Sequence, residues 1–225
     1  MDGDRKKLRA VVFDLDEALL DSRRAWQYTI EEALVSVTGR RIEAGPLVDE
    51  YRRRPWRDAL AVLLASSEER ERAEQLCGRM YERSGMKKLL VHEGLGMALD
   101  ELRAGRLEMG AITRRPHAIA MRQIESTGLD RFLTVLAPTP GGEPWDAPLR
   151  IAECARFLTR EMEHVAFVSP DDYDLKRAAA AGAACYGAGW CGAESAEFLQ
   201  IEAVRELGAT LIVRSAPATS RAPGR

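Results

Sequence analysis

Short apolar runs alternate along this chain with longer segments in which apolar residues recur at helical spacing. The short runs predict six strands, at residues 8–13, 107–112, 132–136, 165–168, 183–186 and 210–213. Helices are predicted at 117–127, 148–159, 175–181 and 197–207. Strands that alternate with helices of about ten residues are typical of a parallel sheet with both faces covered. The predicted fold class is therefore α/β, with a doubly wound, Rossmann-like parallel sheet as the core.

One block interrupts the alternation. From residue 22 to about residue 90 the pattern is helical, with further helices predicted at 56–65 and 68–84 and no convincing strand. Because one strand precedes this block and the others follow it, the block is predicted to be an insertion carried on the core. The predicted domains are an α/β core at 1–21 and 91–214 and an all-helical insertion at 22–90. Residues 215–225 lack periodicity and are predicted to form a disordered tail.

Composition excludes several classes of protein. The 33 Lys and Arg residues are balanced by 35 Asp and Glu residues, a net charge of −2, which offers no basic field to a nucleic acid backbone. Four cysteines without a CxxC pair and three scattered histidines predict neither a zinc site nor a disulfide framework. The charged N-terminus and the lack of any apolar run of about 18 residues predict a cytoplasmic protein that does not span a membrane.

The end of the first strand carries the candidate chemistry. Asp14 and Asp16 follow the apolar run at 8–13 with one residue between them. Ligands of open α/β sheets bind at the carboxyl ends of the strands, so the spacing predicts two carboxylates facing one crevice. One carboxylate could serve as a nucleophile and the other as a general acid or base.

The motifs of this chain resemble those of a known superfamily. Residues 11–22 read VVFDLDEALLDS, and they are followed in order by a strand ending at Thr113, by the pair 143–144 before a helix, and by Val168 with an acidic turn. The series is similar to the motifs of the haloacid dehalogenase (HAD) superfamily. A helical insertion directly after the first strand resembles the cap of its phosphoglycolate-phosphatase-like branch. The resemblance covers nearly the whole chain.

The resemblance implies phosphoryl transfer through a covalent aspartyl-phosphate. Asp14 would attack phosphorus, and Asp16 would protonate the leaving alcohol and later activate water. Thr113 and Arg114 would bind the phosphate oxygens. The implied substrate is a small phosphorylated metabolite, cleaved as a phosphomonoester; its identity, and the oligomeric state of the protein, are left open.

The resemblance also implies a Mg²⁺ cofactor. Its ligands would be Asp14, the backbone carbonyl of Asp16, and the acidic residues Asp174 and Asp171 in the fourth motif. Few carboxylates, completed by water and phosphate oxygens, are the environment that Mg²⁺ prefers.

Three departures from the family pattern affect charge at this site. Glu17 and Ala18 stand where the family has Gly-Thr, Glu143 stands where it has lysine, and Pro170 stands where it has a metal-binding aspartate. Proline has no side-chain oxygen, so weak Mg²⁺ binding is predicted. Two hypotheses follow: a phosphatase with a weakened metal and lysine site, or a catalytically silent member retained as a binding or regulatory protein.

Compensation for the lost groups is possible from nearby positions. Asp171 could reach the metal from one residue along, while Asp174 keeps its place in the motif. Arg114, Arg115 or Lys176 could supply the missing positive charge, although a guanidinium is a planar fork and not a compact ammonium.

A glycine-rich segment at residues 187–192 fits the spacing Gly-x-Gly-x-x-Gly. A dinucleotide fingerprint also needs a helix after the glycines and an acidic residue closing the next strand. The strand predicted next ends at 213–214 without an acidic residue, so no dinucleotide is predicted here.

Overall fold

A computed structural model describes residues 7–51, 60–140, 143–192 and 195–213. The chain forms two compact units. The helical unit comprises Leu20–Val91 and Met121–Gly128, and the α/β unit comprises Met1–Leu19, His92–Ala120 and Leu129–Arg225. The predicted disordered tail at 215–225 and the first part of the predicted helix at 56–65 lie outside the described residues.

Three helices dominate the described part of the helical unit: α1 (Arg23–Thr38), α2 (Gly45–Tyr51) and α3 (Ser67–Arg83). Two-residue strands, Leu20–Asp21 and Leu90–Val91, pair antiparallel at the ends of the block. The helices bury a common apolar core that includes Ile30, Leu34, Leu47, Leu60, Ala73 and Cys77. The side chain of Tyr81 stacks on Trp26 with ring centres 4.3 Å apart and accepts a hydrogen bond from Gln123 Nε2 at 2.6 Å.

The α/β unit is built on a six-stranded parallel sheet. Its strands are β1 (Ala10–Asp14), β2 (Glu108–Thr113), β3 (Val135–Pro138), β4 (Val165–Ser169), β5 (Ala184–Ala188) and β6 (Leu199–Ile201). Its helices are α4 (Leu95–Ala104), α6 (Ala147–Phe157), α7 (Asp172–Ala180) and α8 (Leu207–Val213). Helix α5 (His117–Thr127) is divided between the two units after Ala120. The strand order is β3-β2-β1-β4-β5-β6, which confirms the predicted doubly wound sheet.

The central strands are apolar because both faces of the sheet are covered. All five residues of β1 and all five of β4 are buried. Val12 and Phe167 pack with Ile151 of α6 and Leu175 of α7 in one apolar cluster. Fully buried parallel strands have nearly continuous apolar sequences, which explains why short apolar runs in the sequence located them.

The last two predicted elements are wrong. Residues 197–207 were expected to be a helix, but Leu199–Ile201 is the edge strand β6, paired with β5. Residues 210–213 were expected to be a strand, but Leu207–Val213 is helix α8. Leu207 and Leu211 are both fully buried, and a spacing of four places them on one helical face. A short apolar run fits a strand or a buried helix equally well by periodicity, and here packing decided between them.

Among the described residues, none of the helices combines the length and the apolar character needed to cross a membrane.

Candidate active site

The candidate site lies at the carboxyl end of the central strand. From β1 the sheet continues through β2 and β3 on one side and through β4, β5 and β6 on the other, so the order of strands reverses next to β1. Asp14, Thr113 and Ser169 end three adjacent strands, and Thr139 directly follows β3. In open α/β sheets the crevice at such a reversal is where ligands bind.

A single π-helical turn, Leu15–Leu19, follows β1 and carries Asp16 and Glu17. Its backbone carbonyls are held by side chains from distant segments. His92 Nε2 donates to the Glu17 carbonyl at 2.8 Å, Cys191 Sγ donates to the same oxygen at 3.0 Å, and Trp190 Nε1 donates to the Ala18 carbonyl at 3.2 Å. The turn that presents the second aspartate is therefore fixed at its backbone.

Asp14 is 8% exposed, and its Oδ1 accepts a hydrogen bond from the backbone N–H of Asp16 at 3.0 Å. Burial raises the pKa of Asp14 well above its usual value, and the negative charges of Glu17 and Asp16 raise it further. The positive charge of Arg114 lowers this pKa, and Asp174 raises it. Asp14 therefore belongs to one electrostatic cluster with these four groups, and that cluster disfavours its ionised form.

Asp16 is held by residues at the end of β2. Thr113 Oγ1 donates to Asp16 Oδ2 at 2.6 Å, and Arg115 Nε lies 3.5 Å from Asp16 Oδ1. The same Thr113 oxygen accepts the backbone N–H of Arg115 at 3.0 Å, and the Thr113 carbonyl accepts Thr139 Oγ1 at 3.0 Å. Since Thr113 is 1% exposed, its hydroxyl holds the Asp16 carboxylate from within the protein.

Arg114 turns to the other acidic pair predicted for the site. Its Nη2 lies 3.2 Å from Asp171 Oδ2 and 3.0 Å from Asp174 Oδ2. Its guanidinium also lies over the ring of Trp145, 4.7 Å from the ring centre, while Trp145 Nε1 donates to Asp174. Asp171 is the N-cap of α7, where its Oδ1 accepts the backbone N–H groups of Tyr173 and Asp174. Both carboxylates are therefore committed to partners within the protein.

Burial raises the pKa of Asp174, which is fully buried. The positive charge of Arg114 lowers this pKa, Asp171 raises it, and the hydrogen bond from Trp145 lowers it. Arg114 therefore offsets part of the cost of burying the Asp174 carboxylate.

The residues present do not fit a Mg²⁺ ion. Pro170 offers no side-chain oxygen, and Asp171 and Asp174 are paired with a guanidinium. Among the described residues, only Glu161, Glu163 and His164 form a group of three or more potential ligands within 4.8 Å of one another. The carboxylates of Asp14, Asp16, Asp171 and Asp174 thus share the crevice without converging on one point.

Glu143, in the position where the family has lysine, pairs with an arginine that the sequence analysis missed. Arg150 Nη2 lies 2.8 Å from Glu143 Oε2, and Arg150 Nη1 lies 2.9 Å from Glu153 Oε2. The side chain of Arg150 is 5% exposed and also donates to the Pro138 carbonyl at the end of β3. The sequence did contain a signal for a buried arginine, because Arg150 lies on the apolar face of α6 with Ala147, Ile151 and Cys154.

Lys176, another candidate for the positive charge lost at Glu143, pairs with acidic residues other than Asp171 and Asp174. Its Nζ lies 2.7 Å from Asp172 Oδ2 and 3.4 Å from Glu197 Oε1. No motif indicated Trp145, whose ring contacts the guanidinium of Arg114 and whose Nε1 donates to Asp174.

The glycine-rich segment is explained by close packing. A side chain at Gly187 would overlap that of Gln200, and a Cβ at Gly189 would lie 2.9 Å from the Ile201 carbonyl. Gly192 ends a short 3₁₀ turn with φ +75°, a left-handed conformation that favours glycine. The next described element is strand β6 and not a helix, so the geometry of a dinucleotide fingerprint is missing here.

The fold resembles several solved structures. A HAD-superfamily hydrolase of subfamily IA, variant 1, from Geobacter sulfurreducens is 21% identical with a TM-score of 0.75, covering 91% of this chain and 96% of that chain. A predicted phosphatase from Clostridium acetobutylicum is 16% identical with a TM-score of 0.73, covering 92% and 100%. A predicted phosphoglycolate phosphatase from Haemophilus somnus is 18% identical with a TM-score of 0.66, covering 81% and 85%.

The sequence itself places the chain more firmly. A search of curated proteins finds no match. The family model for haloacid dehalogenase-like hydrolases, however, matches residues 11–188, which include β1 from its second residue, β2 through β5 and the whole helical block. The chain therefore belongs to the haloacid dehalogenase-like hydrolase family.

Proposed function

We propose that this protein hydrolyses a small phosphomonoester, with Asp14 as the nucleophile. The observation that carries the proposal is the position of Asp14 and Asp16 at the carboxyl end of the central strand, with Thr113 Oγ1 donating to Asp16 at 2.6 Å. A nucleophile beside a carboxyl group held in one orientation is the arrangement that two-step phosphoryl transfer needs.

In the proposed first step, a carboxylate oxygen of Asp14 attacks phosphorus and the bond from phosphorus to the ester oxygen breaks. Asp16 enters this step protonated and gives its proton to that leaving oxygen, which departs as an alcohol. In the second step, Asp16 takes a proton from water, and the water oxygen attacks the phosphorus of the aspartyl-phosphate. Inorganic phosphate is released and the Asp14 carboxylate is restored.

The residues of this chain supply most of the charge control for these steps. Arg114 lowers the pKa of Asp14 and thereby favours the ionised nucleophile, against burial and the charges of Glu17 and Asp16. Arg115 and Thr113 hold Asp16. Because burial and the carboxylates of Glu17, Asp16 and Asp174 oppose one guanidinium, we expect slow turnover.

A second candidate function is phosphate binding without turnover. It is favoured by the pairing of Glu143 with Arg150, which leaves the family's lysine position without a cation directed at the nucleophile. Loss of one electrostatic stabiliser commonly costs about 10²–10³ in rate. A protein with that loss could keep a phosphate site while catalysing no measurable reaction.

Phosphate release from a panel of phosphorylated sugars, phosphoglycolate, nucleotides and phosphoamino acids distinguishes the two functions. Wild type and Asp14→Asn are compared side by side, each with Mg²⁺ and with EDTA. We expect turnover of at least one ester by wild type and background rates for the variant, because an amide is a poor nucleophile. Equal rates above background would exclude Asp14 as the nucleophile. Background rates in both proteins would favour the binding function.

A further inference from the structure

The guanidinium of Arg114 occupies a site made for a cation. Its Nη2 lies between Asp171 Oδ2 at 3.2 Å and Asp174 Oδ2 at 3.0 Å, and Asp174 has no exposed surface. The aromatic face of Trp145 covers the guanidinium, and Trp145 Nε1 donates to both oxygens of Asp174, at 3.1 and 2.8 Å. Two carboxylates and an aromatic face are the surroundings that stabilise a positive charge.

Arg114 still has donors for an anion. A guanidinium carries five N–H groups, and both ion pairs here use Nη2 alone. In the described part of the chain, Nε and Nη1 of Arg114 make no hydrogen bond, and 48% of the side chain is exposed. Nε and Nη1 can therefore each donate a hydrogen bond to a phosphate group while Nη2 stays on the carboxylates.

The same geometry works against a divalent ion. A metal bound by Asp171 and Asp174 would have to displace Arg114 from both carboxylates, or lie beside a fixed positive charge. Pro170 supplies no oxygen to complete its coordination. The acidic residues that would hold a metal instead hold a side chain.

We infer that the guanidinium of Arg114 takes the place of the divalent cation, so that this site binds a phosphate group without any divalent metal. The inference rests on the proposed function, because it assumes that the crevice at Asp14 and Thr113 receives phosphate. It differs from that proposal in naming the cation and in predicting independence from metal.

Isothermal titration calorimetry with inorganic phosphate tests the inference on the full chain. Wild-type protein is titrated in EDTA and in Mg²⁺, and we expect dissociation constants that agree within about twofold. Arg114→Ala in EDTA should bind phosphate about 10- to 100-fold more weakly, the loss expected for hydrogen bonds to a charged group. Arg156→Ala, which removes an exposed arginine of α6, is the matched control and should bind as wild type does.

The possible outcomes separate the inference from the proposed function. Binding by wild type only when Mg²⁺ is present would overturn the inference and leave the proposed function standing. Binding by Arg114→Ala in EDTA as tight as that of wild type would also overturn it. No binding of phosphate by wild type under either condition would count against the proposed phosphate site itself. The comparison of EDTA with Mg²⁺ uses wild-type protein, so it remains decisive even if Arg114→Ala fails to fold.

Discussion

Replacing Asp14 by asparagine should stabilise the protein. Asp14 is 8% exposed, and ionising its carboxyl group requires burying a negative charge beside Glu17 and Asp16, which is why its pKa is raised. Asparagine keeps the side-chain oxygen that accepts the Asp16 N–H, and its amide offers two donors to the surrounding carboxylates. The substitution removes a cost of folding without removing that hydrogen bond.

The expected magnitude follows from the cost of burying an unfavourably placed charge. An unsatisfied buried polar group costs about 1–3 kcal/mol and a charged one costs more, and the Asp16 N–H and Arg114 offset part of this cost for Asp14. We therefore expect Asp14→Asn to raise the free energy of unfolding by about 1–2 kcal/mol at pH 8. For a chain of this size the melting temperature would rise by roughly 2–8 °C.

The dependence on pH identifies the cause. Because the pKa of Asp14 is higher in the folded than in the unfolded protein, the stability of wild type falls as the pH rises from 3.8 to the folded pKa. The stability difference between variant and wild type should thus be largest above that pKa and shrink as the pH falls toward 3.8. The assay is urea unfolding from pH 8 to pH 5, followed by tryptophan fluorescence.

Asp130→Asn, an equivalent change at an exposed aspartate, is the control and should shift stability by less than about 0.5 kcal/mol. Equal or lower stability of Asp14→Asn at pH 8 would refute the reasoning. So would a stability difference that stays constant as the pH is lowered.

Two further predictions concern residues outside the nucleophile's immediate surroundings. Arg150→Ala should lower the free energy of unfolding by about 1.5–3 kcal/mol in urea titrations, because it removes a 5% exposed side chain that bonds to Glu143, Glu153 and the Pro138 carbonyl. A loss of stability no larger than that of Arg156→Ala would contradict this prediction. Cys77, Cys154 and Cys185 should resist iodoacetamide at pH 7.5, because burial raises the pKa of each thiol to about 12. All three should react once the protein is unfolded in guanidinium chloride. Early labelling of these cysteines in the native protein, detected by mass spectrometry, would contradict the prediction.

Much of the fold follows from local patterns of the sequence. Strands β1 and β4 are apolar up to their last residues, Asp14 and Ser169, because both faces of the sheet are buried, so these runs could be recognised without a structure. The elements at 197–213 could not be predicted in this way. The apolar run at 211–213 fits a strand or a buried helix equally well, and the burial of Leu207 and Leu211 on one helical face decided for a helix.

The place of the candidate site was likewise predictable. Parallel strands bring their carboxyl ends to one edge, so the order of strands sufficed to bring Asp14 and Thr113 together. The sequence alone also showed that Glu143 and Pro170 depart from the family's lysine and aspartate. Residue types and their order along the strands thus determined which groups enter the crevice.

Which charges pair in that crevice was decided only by the tertiary structure. Arg114 and Arg115 are adjacent in sequence, yet Arg114 binds Asp171 and Asp174 while Arg115 binds Asp16. Arg150 meets Glu143 from the buried stripe of α6. These pairings depend on the direction of each side chain and on its distance from groups brought close by folding. No local pattern encodes them, because a charge interacts with whatever lies near it in space.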